Sequence, residues 1–405
     1  MRAEASADKE IRDPIHGYVR LDSLALDLLS TPQMQRLRWI RQLGLANLVY
    51  PGASHSRFEH SLGTYHLASI MAGHLGLDGG DRQRICAAAL LHDIGHGPFS
   101  HATEAVLSAY LRQGHESIID LLKGEEIRSV LEGADIGPQE LQALIRGEAE
   151  LGRVVNGEID VDRMDYLIRD AHYTGVAYGV FDHLRLLTKM KMHRGRMVVE
   201  EGGLKAAESL LVSRLLMYPT VYFHHVCRIS EAMIREGIRQ MIEEGGIPAA
   251  AIRGMDDDGL FTALFQAGGF PREMAIRIKS RHLFKRAIYV GRESLDHPTV
   301  GWGERWIARE IADDAGLDPR YVLVDNPPMP DVPEGGFPTL INGRIVPLRE
   351  VSPLVNILER AHRANWRLGI YCRSEDRVQV AKSARSCLNL MRNAVQHTLD
   401  GAENG

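Results

Sequence analysis

Eight of the 18 histidines fall between residues 55 and 115: His55, His60, His66, His74, His92, His96, His101 and His115. Histidine is the commonest transition-metal ligand and the usual acid or base near neutral pH, so this density points to a site. Its richest stretch is LLHDIGHGPFSH, where the His92–Asp93 pair closes an apolar helix expected from about Asp81 to His92 with an aspartate N-cap. A carboxylate and an imidazole at the inner end of an apolar helix are costly to bury unless something satisfies them. The fold must therefore bring partners to that end. A divalent cation would serve, and so would a plain buried His–Asp hydrogen bond.

Adjacent helical residues point roughly 100° apart. His92 and Asp93 can therefore share an ion only near a helix end, and Gly95 and Gly97 fit a helix stopping there. His60 in RFEHSLGTYHLA and Asp162 in IDVDRMDYLIRD are candidates for the remaining ligands. Two imidazoles and two carboxylates leave positions open for water and substrate, and suit Fe, Mn, Zn, Ni or Co. Asp162, Tyr166 and Asp170 follow at i, i+4 and i+8, a single helix stripe better suited to a ligand than to a core. Arg57 precedes His60 by one turn and shares its face. Glu116 follows His115 and can orient its imidazole as a proton donor; the plainer alternative is a solvated helix start after Gly114.

Other residues carry blander expectations. His55 lies in a loop that can approach the site. His66 and His74 receive no role, and His172, His224 and His225 are packing or supporting groups. Arg36, Arg38 and Arg41 read as a solvated helix face. The Leu/Met/Tyr stripe from 210 to 234 reads as core or subunit interface.

Most of residues 20–280 reads as helix, including 59–76 and 204–245. The pattern changes near 285. Short strands are expected at 287–290, 321–324 and 367–372, a hairpin turning at Asn342–Gly343, and a helix over 350–364. The expected organisation is a mainly α chain: a helical catalytic core with its N-terminal segment over 1–284, and a smaller α+β region over 285–405. The tail GAENG is expected to fray. A net charge of −5 gives no global basic field of the kind a duplex-DNA binder shows. Cys86, Cys227, Cys372 and Cys387 are too scattered for a zinc ribbon or a disulfide framework. Neither a secretory signal nor a membrane-spanning run is read, so the default is a cytoplasmic protein without membrane partners. P-loop and Rossmann fingerprints are missing.

The ordered blocks DPIHGYVRL, TPQMQRLRWIRQLG, PGASHSRFEHSLG, LLHDIGHGPFSH, HES and DVDRMDYLIRD resemble the HD-domain deoxynucleoside triphosphate triphosphohydrolases. That family includes sterile-alpha-motif-linked enzymes and bacterial dGTPases. The resemblance runs from about Ile11 to Cys387. It implies an HD-domain core and hydrolysis of a dNTP at its α-phosphorus to deoxynucleoside and tripolyphosphate. One divalent transition metal per subunit would sit on His60, His92, Asp93 and Asp162, with magnesium accompanying the nucleotide. His96, His115 and Glu116 match catalytic positions, while Arg57 and His101 match phosphate-contacting ones. Arg163, a lysine in the human member, and Tyr166 match contacts to phosphate and sugar. Asp170 matches the acceptor for the 3'-hydroxyl, and Gln42 and Leu43 match residues that favour deoxyribose. Arg214 and Tyr222 match pocket residues, and Tyr218 stands where the family has a histidine near the base.

The resemblance also implies a homo-oligomer, dimer or tetramer, activated by a nucleotide between subunits. Lys9, Gln35, Arg38 and Lys191 match activator contacts, whereas Ser30 replaces an aspartate that reads guanine. Two other classes stay open: an HD phosphohydrolase for another nucleotide or single-stranded nucleic-acid ends, and a non-catalytic nucleotide sensor.

Overall fold

The helix that carries His60 starts two residues earlier than the sequence suggests, at Arg57, and runs to His74. Ser56 accepts the Glu59 N–H while the Glu59 carboxylate accepts the Ser56 N–H, a capping box that makes Glu59 the third helical residue. The next helix, Gly79–Leu91, is capped by Asp78, so Asp81 lies in its first turn instead of at its cap. In the computed structural model, which describes residues 9–295, 303–328 and 333–390, the Arg57–His74 helix packs between Gly79–Leu91 and a third helix, Val161–Thr174. Leu67, Met71, Leu90, Leu91, Met164 and Leu167 are fully buried there. Each such side chain contributes about 2 kcal/mol, which offsets the cost of burying the polar groups His60, Asp165 and Arg169 under the same helices.

The expected helix over 204–245 is interrupted. Leu204–Met217 gives way to a π-helical turn at Tyr218–Tyr222, and the chain resumes as His225–Glu243. Pro219 has no N–H to donate and its ring crowds the preceding turn, which loosens the ladder. The break turns Tyr218 and Tyr222 toward the site. His225–Glu243 forms a second core with Asp257–Ala267 and Gly269–Lys279 around Met233, Ile238, Leu264 and Met274. A third core lies on an antiparallel sheet in which Lys285–Val290 and Val322–Asp325 flank Leu368–Cys372.

The hairpin of Pro338–Ile341 and Arg344–Pro347 turns at Asn342 and Gly343 as expected, both with positive φ (48° and 77°). Its first strand runs parallel to Arg196–Glu200, and Phe337, Leu348, Val355 and Leu358 join the core of the His60 helices. The architecture is the expected mainly helical one, with its smaller strands concentrated toward the C-terminus. Among the described residues, no helix is long and apolar enough to cross a membrane. The tail GAENG and residues 1–8 lie outside the described residues.

Candidate active site

His60, His92, Asp93 and Asp162 converge. His60 Nε2 lies 2.9 Å from an Asp162 oxygen and 3.2 Å from His92 Nε2. His92 Nε2 lies 3.4 Å from Asp93 Oδ1 and 3.6 Å from Asp162 Oδ1. His60 Nδ1 is 2.8 Å from a carboxylate oxygen of Asp165, and His92 Nδ1 is 2.8 Å from the Ala89 carbonyl. Both partners only accept, so each Nδ1 must carry a hydrogen and each Nε2 is left to face the cluster. His60, His92 and Asp93 bring ligand atoms within 4.8 Å of one another, with Asp162 against both Nε2 atoms, and a cation fits that donor set once it displaces the imidazole protons. Burial disfavours a charged His60, but the hydrogen bonds its ring makes to the Asp162 and Asp165 carboxylates outweigh this and raise it to about 10, so a cation entering the cluster must displace the proton on His60 Nε2.

The sequence reading passed over Asp165. Burial raises its carboxyl, but the Arg169 guanidinium and the His16 and His60 rings outweigh that and hold it well below the usual carboxylate range. Gly63 makes room for it: a Cβ there would lie 1.9 Å from Asp165 Oδ1. Asp165→Asn is expected to weaken metal binding by about 10–100-fold, the usual cost of losing a carboxylate behind a ligating histidine. Equilibrium titration with manganese checks it, and unchanged affinity would remove Asp165 from the site.

Beside this cluster, His96 stacks on His115 with ring centroids 3.9 Å apart and planes 16° from parallel. His115 Nδ1 lies 2.5 Å from Glu104 Oε1, which also accepts the His115 N–H at 3.1 Å. The carboxylate orienting His115 is therefore Glu104 and not Glu116, whose side chain instead accepts from Asn156 at 3.2 Å. Burial raises the Glu104 carboxyl, but bonds from His101 and His115 reverse this and hold it far below its ordinary range. His96, Glu104 and His115 lie close enough to be compared with a cation site. Face-to-face rings cannot both direct an in-plane lone pair at one ion, so the trio suits proton handling better. Gly95 permits this packing, since a Cβ there would fall 1.9 Å from the His115 carbonyl oxygen.

A cavity of about 620 Å³ opens from this His/Asp cluster. It is lined by Gln42, Leu43, Arg57, His96, His101, His115, Glu116, Arg163, Tyr166, Asp170, Tyr218 and Tyr222 as well as His60, His92, Asp93 and Asp162. One Asp170 oxygen is 2.8 Å from His55 Nε2 and the other accepts the Tyr222 hydroxyl at 2.8 Å. The loop residue His55 is thus buried behind the site, stacked on Tyr173. Arg57 donates to Asp93 and Ser100, both at 2.6 Å, and Arg163 is paired with Asp160. Arg214 does not line the cavity but stacks beneath Tyr218, 5.6 Å from the ring centre. Arg36 departs from the solvated-face expectation: it donates to the carbonyls of Ile94, His96 and Met255. Arg38 is exposed, lying over the Phe58 ring and bonded to Gln35.

Lys9, Gln35, Arg38 and Lys191 all lie off this cavity; Lys9 opens a strand and Lys191 is paired with Glu200. The cavity is also lined by residues the sequence did not single out, among them Arg228, Glu231, Arg235, Glu304 and Asn326.

A family model described as HD domain matches residues 57–170, and one described as HD associated region matches residues 181–399. An uncharacterized protein of Methanocaldococcus jannaschii is 34% identical over 380 residues, 91% of this chain and 80% of that one. Human deoxynucleoside triphosphate triphosphohydrolase SAMHD1 is 29% identical over 347 residues, 70% of this chain and 55% of that protein. Among solved structures, a phosphohydrolase from Bacteroides thetaiotaomicron superposes with a TM-score of 0.71 at 26% identity, over 91% of this chain and 100% of that one.

Proposed function

The chain belongs to the HD-domain hydrolases that carry an HD-associated region, the family that includes the SAMHD1 enzymes, and we propose that it hydrolyses deoxynucleoside triphosphates to deoxynucleoside and tripolyphosphate. The observation that carries this reading is one cavity holding both the cation-fitting cluster and, along the same helix, an Asp170 carboxylate fixed from both sides by His55 and Tyr222. A carboxylate fixed in that way is prepared to accept a sugar hydroxyl.

A metal on His60, His92, Asp93 and Asp162 would polarise the α-phosphate and acidify a water. Every other part falls to the chain's own groups. Asp165 and the Ala89 carbonyl hold the two ligand rings. Water adds to the α-phosphorus and the bond to the 5'-oxygen breaks, so that oxygen needs one proton, which His115, oriented by Glu104, is placed to give. Tyr166 and Tyr222 line the cavity and would wall the sugar, and Gln42 and Leu43 line it at the positions that the family resemblance assigns to crowding a ribose 2'-hydroxyl.

One observation favours a second reading. Arg57 and Arg163, the two cations a triphosphate needs, are both engaged with acids, so a substrate with fewer phosphates would disturb less. Incubation with manganese and each dNTP, with products separated by chromatography, tests both. Tripolyphosphate and nucleoside are expected. A dNDP with inorganic phosphate, or turnover of monophosphates and cyclic nucleotides alone, would overturn the assignment. The reading extends to a homo-oligomer activated through Lys9, Gln35, Arg38 and Lys191. Adding a second nucleotide to the same assay, alongside light scattering, tests that extension.

A further inference from the structure

Five consecutive residues, Arg253 to Asp257, join the helices Ala249–Arg253 and Asp257–Ala267 and lie far along the chain from the ligands. None of Arg253, Met255 and Asp257 lines the cavity, yet each is tied to a segment that does. The Arg253 guanidinium donates to the Ser117 carbonyl at 2.5 Å and to Asp120 at 2.9 Å, just past His115 and Glu116. The Met255 carbonyl accepts from Arg36 at 2.8 Å, and the same guanidinium donates to the carbonyls of Ile94 and His96. Asp257, 5% exposed, accepts the Phe99 N–H at 2.7 Å on one oxygen and the Arg41 N–H at 3.1 Å on the other.

The backbone shows why Phe99 needs fixing. Phe99 and Ser100 both have positive φ (52° and 51°), a region that side-chain-bearing residues rarely occupy and that persists only when surroundings impose it. That bend sets the start of the His101 helix, and the Ser100 hydroxyl meets Arg57. The Arg41 bond fixes the strand-like bridge to Ser56, and Gln42 and Leu43 follow it into the cavity. The two histidines of the metal site have separate anchors in Asp165 and the Ala89 carbonyl, and only Asp93 is reached from the link, through Ser100 and Arg57. The link therefore addresses the proton-handling and sugar-facing segments more than the ion.

We propose that Arg253–Asp257 is a positioning clamp, supplied by the HD-associated region, that holds the His96–His101, His115–Ser117 and Arg41–Leu43 segments in register with the metal shell. It rests on the hydrolase reading above, and its role is to preorganise residues that touch substrate without touching substrate itself.

Two full-chain variants, Asp257→Asn and Arg253→Gln, are compared with wild type by manganese titration, hydrogen exchange and dNTP kinetics. Asp257→Asn keeps the shape but sets an amide N–H against one of the two backbone N–H groups. The expected result is an unchanged manganese stoichiometry and affinity, faster exchange confined to residues 99–101, and a kcat lower by about 100-fold, the size of effect a misplacement near 1 Å produces. Arg253→Gln is expected to speed exchange at residues 115–118 instead. Unchanged exchange in both segments, a kcat within threefold of wild type, or protection lost uniformly across the chain would overturn the clamp. If wild type releases no product from dNTPs, the proposed reaction fails, while exchange and manganese binding still decide the clamp.

Discussion

Replacing His92 with alanine is expected to eliminate stoichiometric metal binding and to cut hydrolysis by at least about 10³-fold, because the ion both activates water and neutralises phosphate charge. The effect should be specific. His92 stands at the last turn of Gly79–Leu91, its Nδ1 used by the Ala89 carbonyl and its Nε2 facing only the other ligands. Removing it takes away no bond on which the core depends, so the metal-free variant should melt close to metal-free wild type. The contrast appears on adding manganese: at a hundredfold excess over Kd, a ligand that binds only the folded state stabilises it by about 2.7 kcal/mol. Wild type should show that gain and His92→Ala should not. A variant that kept its manganese and its rate would place the catalytic ion elsewhere. A wild type that bound nucleotide without turnover, with binding surviving in His92→Ala, would favour the sensor reading.

The parts of the site that the sequence made legible are those carried by local periodicity. His60 with Arg57, and Asp162 with Tyr166 and Asp170, each lie on one face of one helix, so spacing alone placed them together. The His92–Asp93 pair was visible as polar residues ending an apolar run. Asp165 was hidden for another reason: it sits three residues from Asp162, close to the same face, but its value depends on His60 arriving from another helix. Glu104 was hidden by a chain reversal. Its helix ends at Arg112, a non-glycine residue in the left-handed region that no sequence signal marks, and only that bend returns His115 to Glu104 eleven residues on. The π-helical turn was foreshadowed by Pro219, but an apolar stripe on both sides of it argued for one continuous helix. Glu304 and Asn326 reach the cavity from the far end of the chain, and no local pattern announces such a contact.

The choice between Glu104 and Glu116 gives the second large effect. Glu104→Gln is expected to lower kcat by about 10²–10³-fold, within the range general acid catalysis contributes, and to leave manganese content unchanged. One Glu104 oxygen serves both the ring and the backbone N–H of His115. Glutamine can keep a single acceptor there, but it removes the negative charge that stabilises a protonated imidazole awaiting the leaving oxygen. Glu116→Gln should cost far less. Its carboxylate makes one exposed hydrogen bond to Asn156, and a bond of that kind contributes about 1 kcal/mol, which is less than tenfold in rate. Steady-state kinetics on both variants, with metal analysis of each, decides the matter. Equal losses would return the orienting role to Glu116, which then must swing toward His115 when substrate binds. A loss in Glu104→Gln that tracked metal content would instead make Glu104 a prop of the ligand shell, and the proton would have to come from His96 or His101, which also line the cavity and are outside the His60–His92 cluster.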